Sequence, residues 1–416
     1  MRVGAGRIPP GGLWVVLATV AGSVIALFYV WLTPPGLPYD EPAHWGNALF
    51  YAQQHRMPEL GESGATYESQ MGPGYYTLAG LGAAAMGEDE VAFYGVRALG
   101  VALIPVLVLV TYRLAMVLQS DARVAAVAAS VVALNPLLLA ISGSVQNDYL
   151  SITVGAVSVA LAARMLRDGD DRLLHHAGIG ALIGLTILVK VVAVSLLPAL
   201  LVGYAVQPAP LAARARRALA AVAGCLAVCG WWFVRNLLLY GDLTGANGMA
   251  DIGILFPPLR LDGVGDVAGW LGSVVSYAFV PVEYHRNVFD APLGLAALAA
   301  AWAVATLAVG TWYVWQRVSR RELRSVLMRR PDRVFAVAVV VCGWAMYIGY
   351  AVLIWWIPAR LLVLAGPVAA VMLAVATKPR WAQPLALVTV GSFVVVNVWL
   401  LVGMVSHPGS HVFLAP

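Results

Sequence analysis

The chain has 416 residues, of which 61% are hydrophobic and only 11% are charged. Its mean hydropathy is +0.81. Soluble domains are about one quarter charged, so this composition excludes an ordinary water-soluble fold and predicts a polytopic membrane protein. The net charge of +5 is better explained by membrane topology than by a nucleic-acid partner, and we expect none.

Apolar runs of membrane-spanning length recur along the whole sequence. They predict eleven transmembrane helices, at about 13–32, 92–117, 123–142, 148–166, 173–189, 190–206, 218–239, 291–316, 334–357, 359–376 and 383–404. The fifth and sixth are short and meet at Lys190. A glycine-rich apolar stretch at 72–87 is shorter than a full span and predicts a juxtamembrane or re-entrant helix. The expected fold class is therefore all-α, as a single polytopic domain over 1–416.

Basic residues predict the orientation of this domain. With the N-terminus inside, 19 of the 26 Lys and Arg residues fall on the inner side, including those of the Arg317–Arg333 loop. Two predicted outer segments, 33–91 and 241–290, are too long for simple connections, and loops of that length usually carry function. The first contains an amphipathic stretch at 41–55, and the second contains an apolar patch at 267–280 that suits an interfacial helix.

All three cysteines, Cys225, Cys229 and Cys342, lie in apolar runs. Buried free thiols are the expected state, and neither a disulfide framework nor a metal site follows from their positions.

The first outer segment begins with an acidic corner next to the membrane, in which Asp40 and Glu41 stand among prolines. Asp40 could act as a general base, or it could simply cap the helix that follows, where Pro42 suits the first turn. Glu41 and His44 are three residues apart, so they would share a helix face and could hold a divalent cation. These alternatives remain open at this stage.

Two further polar stretches are predicted on the same outer side. The first, at 67–76, places glycines and a proline beside Tyr75 and Tyr76, which suits a close backbone approach to a ligand or to another helix. The second, at 142–149, ends with Asp148 at the start of the fourth span. That carboxylate could bind a ligand or could only favour the positive end of the helix dipole.

Four basic residues lie within or at the outer end of apolar helices: Arg97, Lys190, Arg235 and Arg360. Charged groups at that depth are costly and usually mark a functional site, although single residues can extend toward lipid headgroups instead. Four cations opposite three carboxylates predict a pocket for an anionic headgroup or a phosphate. Paired tryptophans before Arg235 predict that it lies at headgroup depth.

Taken in order, these stretches resemble the C-type glycosyltransferases, which are integral membrane enzymes that use polyprenyl-phosphate sugars. The resemblance covers most of 33–245 and is strongest to a large bacterial family of predicted glycosyltransferases. It rests on the Pro-Tyr-Asp-Glu-Pro-Ala-His run, the Tyr67–Tyr76 stretch, the Ser142–Asp148 stretch, Lys190, and the Trp-Trp-x-x-Arg-Asn run followed by Tyr-Gly-Asp. Two places depart from the family pattern: Met71-Gly72 precedes the proline, and Arg360 is followed by leucine.

The resemblance implies an inverting sugar transfer at the outer face of a bacterial plasma membrane. The donor would be a polyprenyl-phosphate sugar, and the acceptor an extracytoplasmic glycan, lipid or protein. Asp40 would be the general base, with Glu41 as the second catalytic residue. The other implied roles are donor-phosphate binding by Lys190, Arg235, Arg360 and Arg97, acceptor orientation by His44, Glu68, Asn147 and Asp148, and pocket lining by Gln70, Tyr75, Tyr76, Trp231 and Asn236.

A divalent metal is left open, with Glu41, His44 and Asp148 as its ligands if one binds. A flippase or transporter of lipid-linked sugars would need polar residues through the depth of the membrane, whereas here they gather on one side. A non-catalytic membrane partner with the same fold, and a hydrolase built on Glu41 and His44, are the remaining alternatives.

Overall fold

The structure is a computed structural model that describes residues 11–37, 40–254, 260, 262–279, 308, 329–353, 362 and 364–406. In these ranges every regular element is a helix. The α-helices are α1 (Gly12–Leu32), α2 (Glu41–Gln54), α3 (Pro73–Met86), α4 (Glu90–Ala102), α5 (Ile104–Gln119), α6 (Ala122–Leu134), α7 (Pro136–Ser142), α8 (Asp148–Asp168), α9 (Leu173–Val189), α10 (Leu196–Ala205), α11 (Leu211–Tyr240), α12 (Ala246–Asp251), α13 (Val264–Phe279), α14 (Pro331–Leu353), α15 (Gly366–Ala376) and α16 (Gln383–Ser406).

The all-α membrane fold predicted from the sequence is confirmed. Among the described residues, six helices are long and apolar enough to cross a bilayer, with α4 and α5 counted together. The bent pair α6–α7 makes a seventh, and α9, α10 with its preceding 3₁₀ turn, and α15 are shorter apolar helices. Only residue 308 of the predicted span at 291–316 is among the described residues, so the count of eleven stays a prediction.

The predicted meeting of two short helices at Lys190 is a reversal of the chain. Lys190 has an extended backbone and separates α9 from the 3₁₀ turn Val191–Ser195 that leads into α10. The ring of His176, near the start of α9, lies 2.9 Å from the hydroxyl of Tyr204, near the end of α10. The two helices are therefore antiparallel, with Lys190 at their shared tip.

Contacts at the end of α5 define what we call the basic end of the bundle. The last carbonyl groups of α5 have no partners within their own helix, and cations stabilise such C-termini. Arg167 donates to the carbonyls of Met116 and Val117, and Arg330 donates to those of Val117 and Leu118. Two more cations reach the same helix end, namely Arg333 and Lys378. Residues predicted to lie inside the cell thus gather at one end.

The break between α6 and α7 falls at Asn135-Pro136, where the two helices meet at 54°. Proline suits the first turn of α7, and the Asn135 side chain accepts the N–H of Leu138 as a cap. The carbonyl of Leu134, which the break leaves without its helical partner, accepts from the Asn397 side chain of α16 at 2.9 Å. The hydroxyl of Tyr29 in turn donates to Asn397, so a buried polar bridge joins three helices at the bend.

Small residues let α9 and α11 pack backbone to backbone. A Cβ added at Gly180 would lie 1.8 Å from the carbonyl oxygen of Ala221, and one added at Gly224 would lie 2.0 Å from that of Ala177. Such close crossings are typical of membrane helices, whose association depends on van der Waals packing. This contact fixes the end of α11, with Arg235, relative to the tip at Lys190.

Candidate active site

Helix α2 begins at an ion pair that is sealed from solvent. The guanidinium of Arg97, on α4, contacts the Glu41 carboxylate through Nε at 2.9 Å and Nη2 at 2.5 Å, and both side chains are 0% exposed. The carboxylate also accepts the backbone N–H groups of Gly36 and Val145. Burial raises the pKa of the Glu41 carboxyl, whereas the Arg97 guanidinium and these two N–H groups oppose that rise and favour the ionised form.

The remaining donors of Arg97 hold the turn that follows α1. They reach the carbonyl groups of Val30, Thr33, Pro34 and Leu37 at 2.8–3.3 Å. A guanidinium has five N–H donors, and these contacts together with Glu41 engage all of them. The contacts favour a positioning role for Arg97 and Glu41 over the phosphate-binding and catalytic roles that the resemblance implied.

Asp40, which directly precedes Glu41, has an unusual backbone conformation. Its φ is 52° and its ψ is 12°, a left-handed conformation that non-glycine residues adopt rarely, although aspartate is among the more tolerant. Asp40 occupies the N-cap position of α2, but its side chain makes no capping hydrogen bond to that helix, which disfavours side-chain capping as its role. Its Oδ1 instead accepts the hydroxyl of Tyr67 at 2.8 Å, and the residue is half-buried.

A buried polar network lies behind Asp40, between α2 and α3. Nδ1 of His44 is 2.7 Å from the hydroxyl of Tyr76, and the two rings stack at 5.9 Å. The same hydroxyl lies 3.5 Å from Glu68 Oε2. Asn47 donates to the backbone carbonyl of Glu68 at 3.3 Å. Tyr75 packs edge-on against Tyr76, with ring centroids 5.4 Å apart. The predicted residues His44, Glu68, Tyr75 and Tyr76 therefore belong to one cluster.

The 142–149 stretch meets the acidic corner directly. The N–H of Val145 donates to Glu41 Oε1 at 2.8 Å across 104 positions of sequence. Three residues later, Asp148 begins α8. Its Oδ1 accepts a hydrogen bond from the Lys190 ammonium at 2.5 Å, so the two side chains form an ion pair. Asn147 Oδ1 accepts the same ammonium at 3.2 Å. The contacts thus run from Glu41 through this stretch to the tip between α9 and α10.

Glycine at position 72 allows the chain before α3 to touch that tip. A Cβ there would lie 2.2 Å from the carbonyl oxygen of Leu188, and one at Gly74 would lie 3.0 Å from it. The close backbone approach predicted for this stretch is confirmed, and the partner is the last turn of α9. The contact holds Lys190, two residues beyond Leu188, against the first outer segment.

Arg235 reaches the first outer segment from the end of α11. Its Nη2 donates to the carbonyl of Pro58 at 2.7 Å. Its buried Nη1 has no hydrogen-bond partner among the described residues, and neither does the buried hydroxyl of Tyr51 on α2. Both groups belong to elements that meet the first outer segment, Tyr51 on α2 and Arg235 through Pro58. Unpaired buried polar groups are rare and call for an explanation.

The other predicted lining residues near α11 differ in their surroundings. The amide of Asn236 donates to the backbone carbonyl of Gln70 at 3.5 Å, and the amide of Gln70 contacts the sulfur of Met249 on α12. Trp231 is 47% exposed on the surface of α11. Arg360 lies outside the described residues, so its predicted role stays a prediction.

The possible metal ligands do not assemble. Glu41 forms an ion pair with Arg97, and Asp148 forms one with Lys190. Nδ1 of His44 contacts the hydroxyl of Tyr76. No group of three His, Cys, Asp or Glu side chains in the described ranges is placed to hold a metal ion. These three residues therefore do not fit the divalent cation that the sequence left open.

Two solved membrane proteins have a similar architecture. ArnT from Cupriavidus metallidurans, solved bound to undecaprenyl phosphate, aligns with a TM-score of 0.60 and 14% identity over 94% of this chain and 70% of that chain. The archaeal oligosaccharyltransferase AglB from Archaeoglobus fulgidus, solved with an inhibitory peptide and a dolichol-phosphate, aligns with a TM-score of 0.55 and 15% identity over 95% of this chain. The chain spans 56% of that protein. This chain has the C-type glycosyltransferase fold.

Part of the sequence also matches a family model. Residues 70–233 match the model described as dolichyl-phosphate-mannose-protein mannosyltransferase. That range includes Asp148 and Lys190 and ends just before Arg235, while Asp40 lies ahead of it. No curated protein matches the chain significantly.

Sequence reasoning gave no role to two residues that the structure brings to the candidate site. Tyr67 contacts Asp40 from 27 positions away, and Tyr51 stacks on Tyr76 with ring centroids 6.0 Å apart. Tyrosines are common at membrane interfaces, so nothing in the local sequence separated these two from the others.

Proposed function

We propose that the protein is a glycosyltransferase that moves a sugar from a polyprenyl-phosphate donor to an acceptor hydroxyl on the extracytoplasmic side of a bacterial plasma membrane. The fold, the partial family match and the lipid phosphates bound by ArnT and AglB support this class. The observation that carries the proposal is Asp40. It is a half-buried carboxylate in a left-handed turn, held by Tyr67 rather than spent on capping α2.

Asp40 acts as the general base in this proposal. It removes the proton of the acceptor hydroxyl as the new bond from that oxygen to the anomeric carbon forms. The bond from the anomeric carbon to the phosphate oxygen breaks at the same time, and the polyprenyl phosphate leaves with the electron pair. A base on the face opposite the leaving group gives inversion of the anomeric centre. Backbone strain of the kind seen at Asp40 clusters at functional sites.

Lys190 and Arg235 hold the donor phosphate in the same proposal. The ammonium of Lys190 has three N–H donors, and Asn147 and Asp148 use two of them in the described contacts. The remaining donor is available for a phosphate oxygen, as is the unpaired Nη1 of Arg235. Charge-assisted bonds of this kind stabilise a leaving phosphate without any covalent step by the protein. Arg360 is proposed as a further ligand on the resemblance alone.

Glu41 and Arg97 position the site rather than react. Their buried pair fixes the turn that carries Asp40, and Val145 couples that turn to the Asn147-Asp148 pair. We further propose that Asp148, Glu68 and His44 orient the acceptor. His44 and Glu68 share contacts with the Tyr76 hydroxyl, and Asp148 follows Val145, which donates to Glu41.

Deleting the gene tests the proposal in the cell. The lipid and glycan pools are then measured by mass spectrometry, with a strain that carries the gene on a plasmid as the control. We expect one polyprenyl-phosphate sugar to accumulate and one extracytoplasmic glycan, glycolipid or glycoprotein to lose a single sugar. Unchanged pools of both donor and product would contradict a transferase.

A further inference from the structure

The basic end of the bundle contains a groove that the proposed reaction does not use. Helices α1, α6 and α16 leave a cavity of about 690 Å³ between them. One mouth carries two arginines: Arg123 in the first turn of α6, and Arg380 in the 3₁₀ turn Arg380–Ala382 that precedes α16. The two arginines come from different elements of the chain, but both line the same cavity.

The walls of the groove change from charged to apolar along its length. On α6 the lining residues Arg123, Val127 and Ser130 share one helix face, because they are spaced by four and three positions. They cover about 10 Å along the helix axis. On α16 the lining residues Leu387 and Val390 form the matching apolar stripe. A ligand that fills this groove needs an anionic head and an apolar tail.

The two arginines are free to bind such a head. Among the described residues neither guanidinium has a hydrogen-bond or ion-pair partner, whereas Arg167 and Arg330 at the same end cap α5. Trp14 and Leu387 are 69% and 75% exposed, so the groove opens toward the surroundings of the bundle. The chain ahead of Gly11 carries Arg2 and Arg7, and this like charge disfavours that segment as the occupant.

We propose that this groove binds one anionic glycerophospholipid. Its phosphate lies between Arg123 and Arg380, and one acyl chain follows Val127, Leu387 and Val390. Basic pockets between transmembrane helices recognise anionic headgroups by this combination of charge and apolar wall. The site is separate from the donor site at Lys190, which lies at the opposite end of α9 from the basic end.

Native mass spectrometry of the full-length protein in non-ionic detergent tests the proposal. Phosphatidylglycerol and phosphatidylcholine with identical acyl chains are added in turn. We expect tighter retention of phosphatidylglycerol, and we expect Arg123→Gln and Arg380→Gln each to weaken it about fivefold, as for a basic group near an anionic headgroup. The double variant should bind the two lipids equally. The matched control is Arg216→Gln, an exposed arginine of α11 outside the groove, which should leave the preference unchanged.

Leu387→Trp tests the apolar part. Filling the groove should weaken both lipids, while the melting temperature shows that the variant is folded. Three outcomes would overturn the proposal: a double variant that keeps the full preference, a control that loses as much as either groove variant, or displacement of the lipid by inorganic phosphate alone.

Discussion

Glu41 and Arg97 form an ion pair that is fully enclosed in the protein, with the charges 2.5 Å apart and both side chains 0% exposed. The pair joins the start of α2 to α4 and, through the other donors of Arg97, to the end of α1. Asp40 directly precedes Glu41, so the position of the proposed base depends on a contact that cannot react with substrate itself.

The first prediction concerns the stability that this pair provides. Glu41→Gln leaves a buried guanidinium without its counter-charge, which typically costs about 3–5 kcal/mol. We expect a large fall in the melting temperature of the purified protein in detergent. Replacing both residues by Leu and Met should not restore it, because four backbone carbonyls lose Arg97 as well.

Arg56 and Glu62 provide the matched control for that prediction. They form an ion pair on the exposed surface of the same segment, and Arg56→Gln should change the melting temperature little, since exposed pairs contribute weakly. Equal effects of Glu41→Gln and Arg56→Gln would contradict the positioning role.

The second prediction concerns Gly72. Alanine there would bring its Cβ to 2.2 Å from a backbone carbonyl of α9, which cannot move as a side chain can. We expect Gly72→Ala to shift the first outer segment away from Lys190 and to lower transfer activity, because small displacements at a site are costly. Gly178→Ala, on α9 with nothing within 4 Å of the added Cβ, should be silent. A fully active Gly72→Ala protein would show that this contact does not position the site.

The third prediction separates the structural and donor-binding roles of Lys190. Lys190→Met removes the ammonium from Asp148 and should lower both the melting temperature and donor affinity. Adding Asp148→Asn removes the uncompensated charge, so the double variant should regain much of the melting temperature. Its affinity for the donor should remain about ten- to a hundredfold below that of the wild type, because one charge-assisted hydrogen bond to the phosphate is lost. Recovery of both properties would reduce Lys190 to a purely structural residue.

The fourth prediction concerns topology. Single cysteines are introduced into a variant that lacks Cys225, Cys229 and Cys342, and their reaction with a membrane-impermeant thiol reagent is measured in intact cells. A cysteine at exposed Glu59, on the first outer segment, should react, and one at exposed Arg216 should react only after lysis. The reverse pattern would contradict the orientation predicted from the basic residues.

Local sequence was enough for part of this architecture. The helix predicted at 41–55 is observed as Glu41–Gln54, and the break at Lys190 and the close approach at Gly72 were both visible as interruptions of apolar runs. Of the patch predicted at 267–280, residues 267–279 belong to α13, Val264–Phe279. In each case the signal lies within a few residues of the feature, because charge, glycine and proline act on the backbone locally.

The pairing of charges could not be predicted in the same way. Arg97 in an apolar run has the same sequence signature whether it binds a lipid phosphate or a carboxylate 56 positions earlier. The left-handed conformation of Asp40 is equally hidden, since its neighbour Glu41 is held by contacts from α4 and from Val145. Long-range contacts of this kind are set by how the helices pack, which no single stretch records.

The measurement that tests the central claim most directly is the rate of sugar transfer with Asp40→Asn. Membranes of the deletion strain, which hold both accumulated donor and native acceptor, receive wild-type or variant protein at equal levels, and donor consumption is followed by mass spectrometry. Asparagine tolerates the left-handed turn, so we expect an intact melting temperature, near-normal donor binding and a rate lower by about 10²–10⁴-fold. Tyr67→Phe keeps the carboxylate and should lose far less. A variant that retains more than about a tenth of the wild-type rate would contradict Asp40 as the base.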